Sequence, residues 1–248
     1  EKPSSNEAQD IPAAAEYDST STRGDFKYRL LADETVEIVG YTGNPSLSFL
    51  PDELDGRPVT SIGDNAFSGY DSLQSLSIPD SITRIGDRAF SDCSNLIIIS
   101  LSQNLMAIGD RAFSNCTSLQ SISIPDTVTV LGKEAFTDCT NPIIIALSQG
   151  LVTIGDKAFY NCSALQSVSI PDTVTAIGDE VFSGCSELII IALSQSLTTM
   201  GDRVFMGCSS LQSLSIPDTV ISVGDEIFEG CDSSIIVNAP DELGLSKW

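Results

Sequence analysis

The sequence predicts an α/β solenoid: a stack of coils with one parallel β-sheet on the inner side, short helical or 3-10 turns on the outer side, and an N-terminal β-hairpin as a cap. Three columns of residues carry that reading. Glycines fall at Gly63, Gly86, Gly109, Gly132, Gly155, Gly178, Gly201 and Gly224, each 23 residues after the last. Phenylalanines keep the same step at Phe67, Phe90, Phe113, Phe136, Phe159, Phe182, Phe205 and Phe228. All seven cysteines, Cys93, Cys116, Cys139, Cys162, Cys185, Cys208 and Cys231, follow three residues behind a phenylalanine, with Tyr70 in that place in the first repeat. Self-similarity at a fixed period is the mark of stacked supersecondary units that bury a continuous core between neighbours.

One unit justifies its elements in order. Leu76 and Ile78 alternate with Ser75 and Ser77, the period of a half-buried strand. Pro79-Asp80 stops that strand, because proline cannot donate to a ladder. Ile82 and Ile85 point back inside as the chain turns. Gly86-Asp87 opens a short helical turn carrying Ala89 and Phe90, with the Asp87 carboxylate expected to cap the turn's own N–H groups. The turn ends in the column Gly69, Asp92, Asn115, Asp138, Asn161, Gly184, Gly207 and Gly230, residue types that tolerate the left-handed conformation.

The flanks differ. Residues 1–22 are rich in Ser, Ala, Pro and acids without periodicity and read as a disordered tether. Residues 23–46 carry two alternating stretches, Phe26-Tyr28-Leu30 and Val36-Ile38-Tyr41, and read as a hairpin covering the first open edge. Residues 47–240 form the solenoid, beginning with an irregular repeat whose Pro51-Asp52 takes the strand-stop place. At the far end Ser234 replaces the usual leucine, Pro240 ends the pattern, and residues 241–248 read as a tail without an evident cap, leaving an edge open to self-association.

Composition narrows the chemistry. With 34 acidic and 12 basic residues the formal net charge is −22, which argues against a surface that neutralises nucleic-acid phosphates or anionic lipid. The chain has no histidine, which removes Ser-His-Asp and Cys-His catalysis and every metal site that needs imidazole. No apolar run approaches the ~18–20 residues of a transmembrane helix, so no membrane insertion is expected. The chain opens at Glu1 without a visible signal peptide, which reads as a mature form or one whose leader cannot be read.

Each candidate site has a simpler structural use. The column Asp64, Asp87, Asp110, Asp156, Asp179, Asp202 and Asp225 supplies one carboxylate per coil and is interrupted by Lys133, whereas calcium needs several converging oxygens. Asp80, Asp126, Asp172 and Asp218 follow prolines and read as turn residues. The cysteines contain no C-x-x-C pair, and side chains stacked in one column point parallel rather than at each other, so a reduced buried ladder is expected. Asn115-Cys116-Thr117 and Asn161-Cys162-Ser163 match the glycosylation sequon, but both asparagines sit in the left-handed column. Gly132-Lys133 is followed by Glu134 and forms no phosphate loop. A hydrolase built on two carboxylates is the remaining enzymatic alternative, and no acid pair stands apart from the repeat to support it. The reading is of a protein that is not an enzyme and calls for no cofactor.

The pattern C-x-x-L-x-x-L-x-I-x-x-x-I-x-x-I-G-D-x-A-F, running from Ile62 to about Val237, closely resembles the BspA-like leucine-rich-repeat family. The resemblance implies a right-handed superhelix with its parallel sheet on the concave side. It also implies secretion or surface anchoring and, by analogy with a few members, an adhesive or binding role. In that fold the columns through Ser75 and Ser77 face the concave side and the column through Gln74 lies at its margin. The first reads Ser75, Ile98, Ser121, Ile144, Ser167, Ile190, Ser213 and the second Ser77, Ser100, Ser123, Ala146, Ser169, Ala192, Ser215. Isoleucine thus recurs every 46 residues. An uncharged face with exposed isoleucine ridges marks a contact surface, and these fourteen residues are the expected partner-binding set. A protein partner is the first expectation. A polysaccharide whose repeat matches every second strand, ~10 Å apart, is the alternative.

Overall fold

The computed structural model describes residues 20–43 and 47–243 and is a parallel β-solenoid of about nine turns. It begins with β1 (Thr20–Arg23), β2 (Phe26–Leu30) and β3 (Val36–Tyr41), an antiparallel meander whose last strand pairs parallel with β5. That strand, β5 (Arg57–Ile62), forms a tight hairpin with β4 (Glu53–Leu54) through Asp55 and Gly56, both at positive φ. From residue 75 onward each coil gives one strand to each of two ladders, except the last, which gives one to the first alone among the described residues. The first takes three-residue strands: β6 (Ser75–Ser77), β8 (Ile98–Ser100), β10 (Ser121–Ser123), β12 (Ile144–Ala146), β14 (Ser167–Ser169), β16 (Ile190–Ala192), β18 (Ser213–Ser215) and β20 (Ile236–Asn238). The second takes two-residue strands: β7 (Arg84–Ile85), β9 (Ala107–Ile108), β11 (Val130–Leu131), β13 (Thr153–Ile154), β15 (Ala176–Ile177), β17 (Thr199–Met200) and β19 (Ser222–Val223). The cap strands and the second ladder form one continuous sheet, β1-β2-β3-β5-β7 through β19.

The outer turns are not helical, and the α/β assignment is corrected to an all-β solenoid. Among the described residues the one helical element is a 3-10 turn at Asp241–Leu243. In the outer segment alternate N–H groups leave the local turn and donate to the next coil: Arg88 to Asp110 O, Phe90 to Ala112 O and Asp92 to Ser114 O, each at 2.8 Å. The residues between them bond locally, Ser91 to Arg88 O at 3.1 Å and Cys93 to Phe90 O at 3.3 Å. A helix would direct every N–H back along its own axis. Two left-handed residues per coil prevent that. One is the expected Gly/Asn/Asp column. The other is Asn65, Arg88, Arg111, Glu134, Lys157, Glu180, Arg203 and Glu226, at φ between 53° and 58°.

The Gly-Asp pair has a different use from the helix cap read in the sequence. Asp87 N–H donates to Asp64 Oδ1 at 2.8 Å, Asp110 N–H to Asp87 Oδ1 at 2.9 Å, and Lys133 N–H to Asp110 Oδ1 at 2.7 Å. Each carboxylate therefore caps the following coil rather than its own turn. The glycine makes room: a Cβ on Gly109 would lie 2.5 Å from Asp87 Oδ1 and 2.7 Å from Asp87 N. Lys133 cannot accept a hydrogen bond, and its Nζ instead pairs with Asp156 at 2.9 Å.

Between the ladders the core is a set of columns. The eight phenylalanine rings stack nearly parallel, with centroids 5.2 to 5.9 Å apart from Phe67 to Phe228. Beside them, all seven cysteines are free, and each Sγ–H donates to the carbonyl of the phenylalanine 26 residues earlier, as Cys116 does to Phe90 O at 3.2 Å. Burial pushes the thiols of Cys93, Cys139 and Cys185 up to about 12 and raises those of Cys116, Cys162 and Cys208 well above the ordinary thiol value.

Both ends are covered more fully than the sequence suggests. β1 begins at Thr20, inside the segment read as a tether, so the ordered cap extends beyond residues 23–46; residues 1–19 and 44–46 lie outside the described residues. Glu37 is buried where the cap meets the first coil, between Arg29, Arg84 Nη1 at 3.7 Å and Ser61 Oγ at 3.3 Å. At the other end Leu243, carried by the 3-10 turn, packs against the core within the segment read as a tail, of which residues 244–248 lie outside the described residues.

Candidate binding face

Strand alternation sets the face of the first ladder. Ile99, Ile145 and Ile191 are buried, while Ile98, Ile144 and Ile190 beside them are 48%, 75% and 62% exposed. Ser75, Ser77, Ser100, Ser123, Ala146, Ser167, Ser169, Ala192, Ser213 and Ser215 stand exposed on the same side, and Ser121 is half-buried. The structure thus brings all fourteen expected residues onto one uncharged surface.

The 46-residue period of the sequence has a counterpart in the strand pairing. Within each odd-to-even pair of coils all three residues are in register, β6 with β8, β10 with β12, β14 with β16 and β18 with β20. Between pairs the ladder is sparse: β8 and β10 share one residue pair, Ser121 with Ile98, and β14 and β18 each open a separate sheet.

The margin column through Gln74 divides in a way the sequence reading does not distinguish. Ile97 and Ile189 are exposed, whereas Ile143 and Ile235 are buried. The signal is one residue earlier. Leucine occupies that column at Leu96 and Leu188, but Pro142 and Ser234 replace it, and the following isoleucine turns inward to fill the vacated core. The cross-coil hydrogen bond moves with it: Ile97 N–H donates to Gln74 O at 2.8 Å, but in the proline coil Ile144, not Ile143, donates to Gln120 O, at 2.9 Å.

Where β12 and β14 part, a groove of about 840 Å³ opens between Ile144 and Ile190, floored by Ser167 and Ala192 and flanked by Gln120 and Gln166. Phe49 adds an aromatic at the N-terminal end of the face. It is 70% exposed and bridges Ser77 in parallel, one row before the first strand. Aligning Pro51-Asp52 with Pro79-Asp80 would have found it, since that alignment puts Phe49 in the Ser77 column.

The face carries hydroxyls, amides and alkyl groups. Among the described residues no three of Cys, Asp and Glu stand close enough to hold a metal ion, and no helix is long and apolar enough to cross a membrane.

Comparisons with known proteins agree with the architecture. The family model of the BspA type leucine rich repeat region matches residues 60–189 and 143–244, with six copies. A leucine rich repeat protein from T. pallidum is 29% identical in its crystal structure, with a TM-score of 0.71 over 91% of this chain and 93% of that one. A leucine-rich repeat protein from Bacteroides ovatus is 26% identical, with a TM-score of 0.59 over 90% of this chain and 72% of that one. Among curated protein sequences no match was found.

Proposed function

The chain belongs to the BspA-type leucine-rich-repeat family, and from that premise we propose that it is a non-enzymatic, secreted or surface-held binding protein that takes a protein partner on its Ser/Ile face. The supporting observation is the ridge of Ile98, Ile144 and Ile190, exposed to solvent in the middle of an uncharged surface on a chain of net charge −22. Solvent-facing isoleucines add little to the core, and exposed apolar ridges on a folded surface usually mark a contact. The groove between Ile144 and Ile190 offers a recess in which an anchor side chain of a partner would become desolvated.

The test selects binders from a random peptide display library against the immobilised chain. Selected peptides are expected to lose at least ~10-fold in affinity on an Ile144→Ser/Ile190→Ser double variant that keeps its melting temperature. Peptides that bind this folded variant as well as the parent would overturn the assignment of the face.

A further inference from the structure

Resting on that reading of the face, we infer that its partner is a cationic polypeptide, drawn by a row of acids along one margin of the Ser/Ile surface. The charges of the coils are segregated. Every arginine and lysine of the regular coils, Arg84, Arg88, Arg111, Lys133, Lys157 and Arg203, falls in the second ladder or in the Gly-Asp turn. The other half of each coil, from the cysteine column through the three-residue strand and the turn after it, has no base, and in alternate coils it carries an acid. There Asp80, Asp126, Asp172 and Asp218 stand exposed just beyond β6, β10, β14 and β18.

The two sides differ in their bases rather than in the sign of their charge. On the outer side bases pair with acids of the neighbouring coil, Arg111 with Glu134 at 2.7 Å, Lys157 with Glu180 at 3.5 Å and Arg203 with Glu226 at 2.5 Å, while Asp87, Asp110, Asp179, Asp202 and Asp225 stand exposed there outside these ion pairs. None of the ion pairs among the described residues reaches the margin acids. Three of these carboxylates each accept one N–H from the next coil, from Gln103, Gln149 and Gln195 at 2.8 Å, which holds them in place while leaving the side chain exposed.

Spacing and field act together. The acids recur in every second coil, about 9.6 Å apart, and the isoleucine ridge recurs at the same interval in the coils between. The Debye length at physiological ionic strength is about 8 Å, so a row at this spacing acts as a continuous negative potential beside an apolar track. An extended polypeptide advances about 10 Å in three residues. Lying along the stack, it would meet an isoleucine ridge and an acid once in each such interval. Phe49, exposed at the end of the track, is a further acceptor for a cationic side chain.

The experiment titrates the full chain with fluorescent peptides that repeat Lys-Leu-Ser, Ser-Leu-Ser or Glu-Leu-Ser four times. The lysine peptide is expected to bind tightest and to weaken by at least ~10-fold between about 50 and about 300 mM NaCl. An Asp126→Asn/Asp172→Asn variant keeps the Oδ1 acceptors and should bind the lysine peptide several-fold more weakly. An Asp179→Asn/Asp202→Asn variant removes the same charge from the outer side and should bind it like the parent. Equal loss from both variants, equal affinity for the lysine and serine peptides, or no binding of the lysine peptide would overturn the inference. If Ile144→Ser/Ile190→Ser weakens all three peptides while charge has no effect, the cationic partner falls and the face stands. If the lysine peptide ignores that variant, the face itself falls.

Discussion

Arg88 is exposed at φ 53°, a conformation that costs a residue with a Cβ roughly 1–2 kcal/mol. The backbone accepts that cost because the conformation aims Arg88 N–H sideways at Asp110 O, 2.8 Å away on the next coil. The same bargain recurs once per coil, at Arg111, Glu134 and Lys157 and beyond, and propensity gives no hint of it. A β-branched side chain should make it fail. Arg88→Val is expected to lower unfolding free energy by about 1–3 kcal/mol although the side chain is exposed. Arg88→Gly should be near neutral, since relief of the steric cost offsets the ~0.5–1 kcal/mol of added unfolded-state entropy. Urea denaturation of the two variants measures the difference, and equal effects would mean that the left-handed column carries no strain.

At the scale of the element, the phenylalanine stack joins the coils into one object. The ring spacing of 5.2 to 5.9 Å with interplanar angles of at most 10° is the offset-stacked arrangement in which each ring contacts the one before and the one after. Phe136 lies between two such neighbours, and Phe136→Ala should cost ~3–5 kcal/mol. Phe228 stacks on Phe205 in the last regular coil and is 4% exposed where Phe136 is fully buried, so Phe228→Ala should cost less. Equal losses in chemical denaturation would show that the turn bearing Leu243 supports the last coil as firmly as a further coil would. The three-residue strands are the most legible elements, because alternation of Ser and Leu or Ile admits one phase only. The two-residue strands of the second ladder are too short to show a period, and the sequence reads them as part of a turn. The outer turns were misread, since an Asp-x-Ala-Phe segment has helix-like spacing whether its N–H groups bond within the coil or across to the next.

For the whole molecule, burial of the thiol column makes stability depend on alkaline pH. A free thiol ionises near pH 8.5 in the unfolded chain, whereas desolvation holds Cys93, Cys139 and Cys185 up to about 12 in the folded one. Above the unfolded value the native state binds more protons than the unfolded state, so stability is full below that pH and falls as pH rises toward the folded values. Each such thiol removes ~1.4 kcal/mol per pH unit within the window. The urea midpoint should therefore be flat from neutral pH to about 8 and then fall steeply, with a Cys139→Ala variant falling less steeply. A midpoint unchanged above the thiol range would mean that the column is not buried in its protonated form. The same burial predicts little reaction of the native protein with thiol reagents and seven free thiols once it is denatured.

The sequence alone determined the repeat length, the phase of each three-residue strand, the identity of the core columns and the composition of the Ser/Ile face. These follow from local rules: a period of two along a strand decides which side a residue occupies, and a period of 23 decides what it stacks on. Tertiary structure alone decided where the outer N–H groups and the aspartates find partners, because those partners lie a whole coil away and depend on how closely the backbones approach. It also decided that Ile143 turns inward behind Pro142, since a core vacancy is filled by whichever neighbour can reach it. And it set beside the Ser/Ile face a row of acids that no ion pair among the described residues reaches, where residues 46 apart in the chain come to lie about 10 Å apart in space.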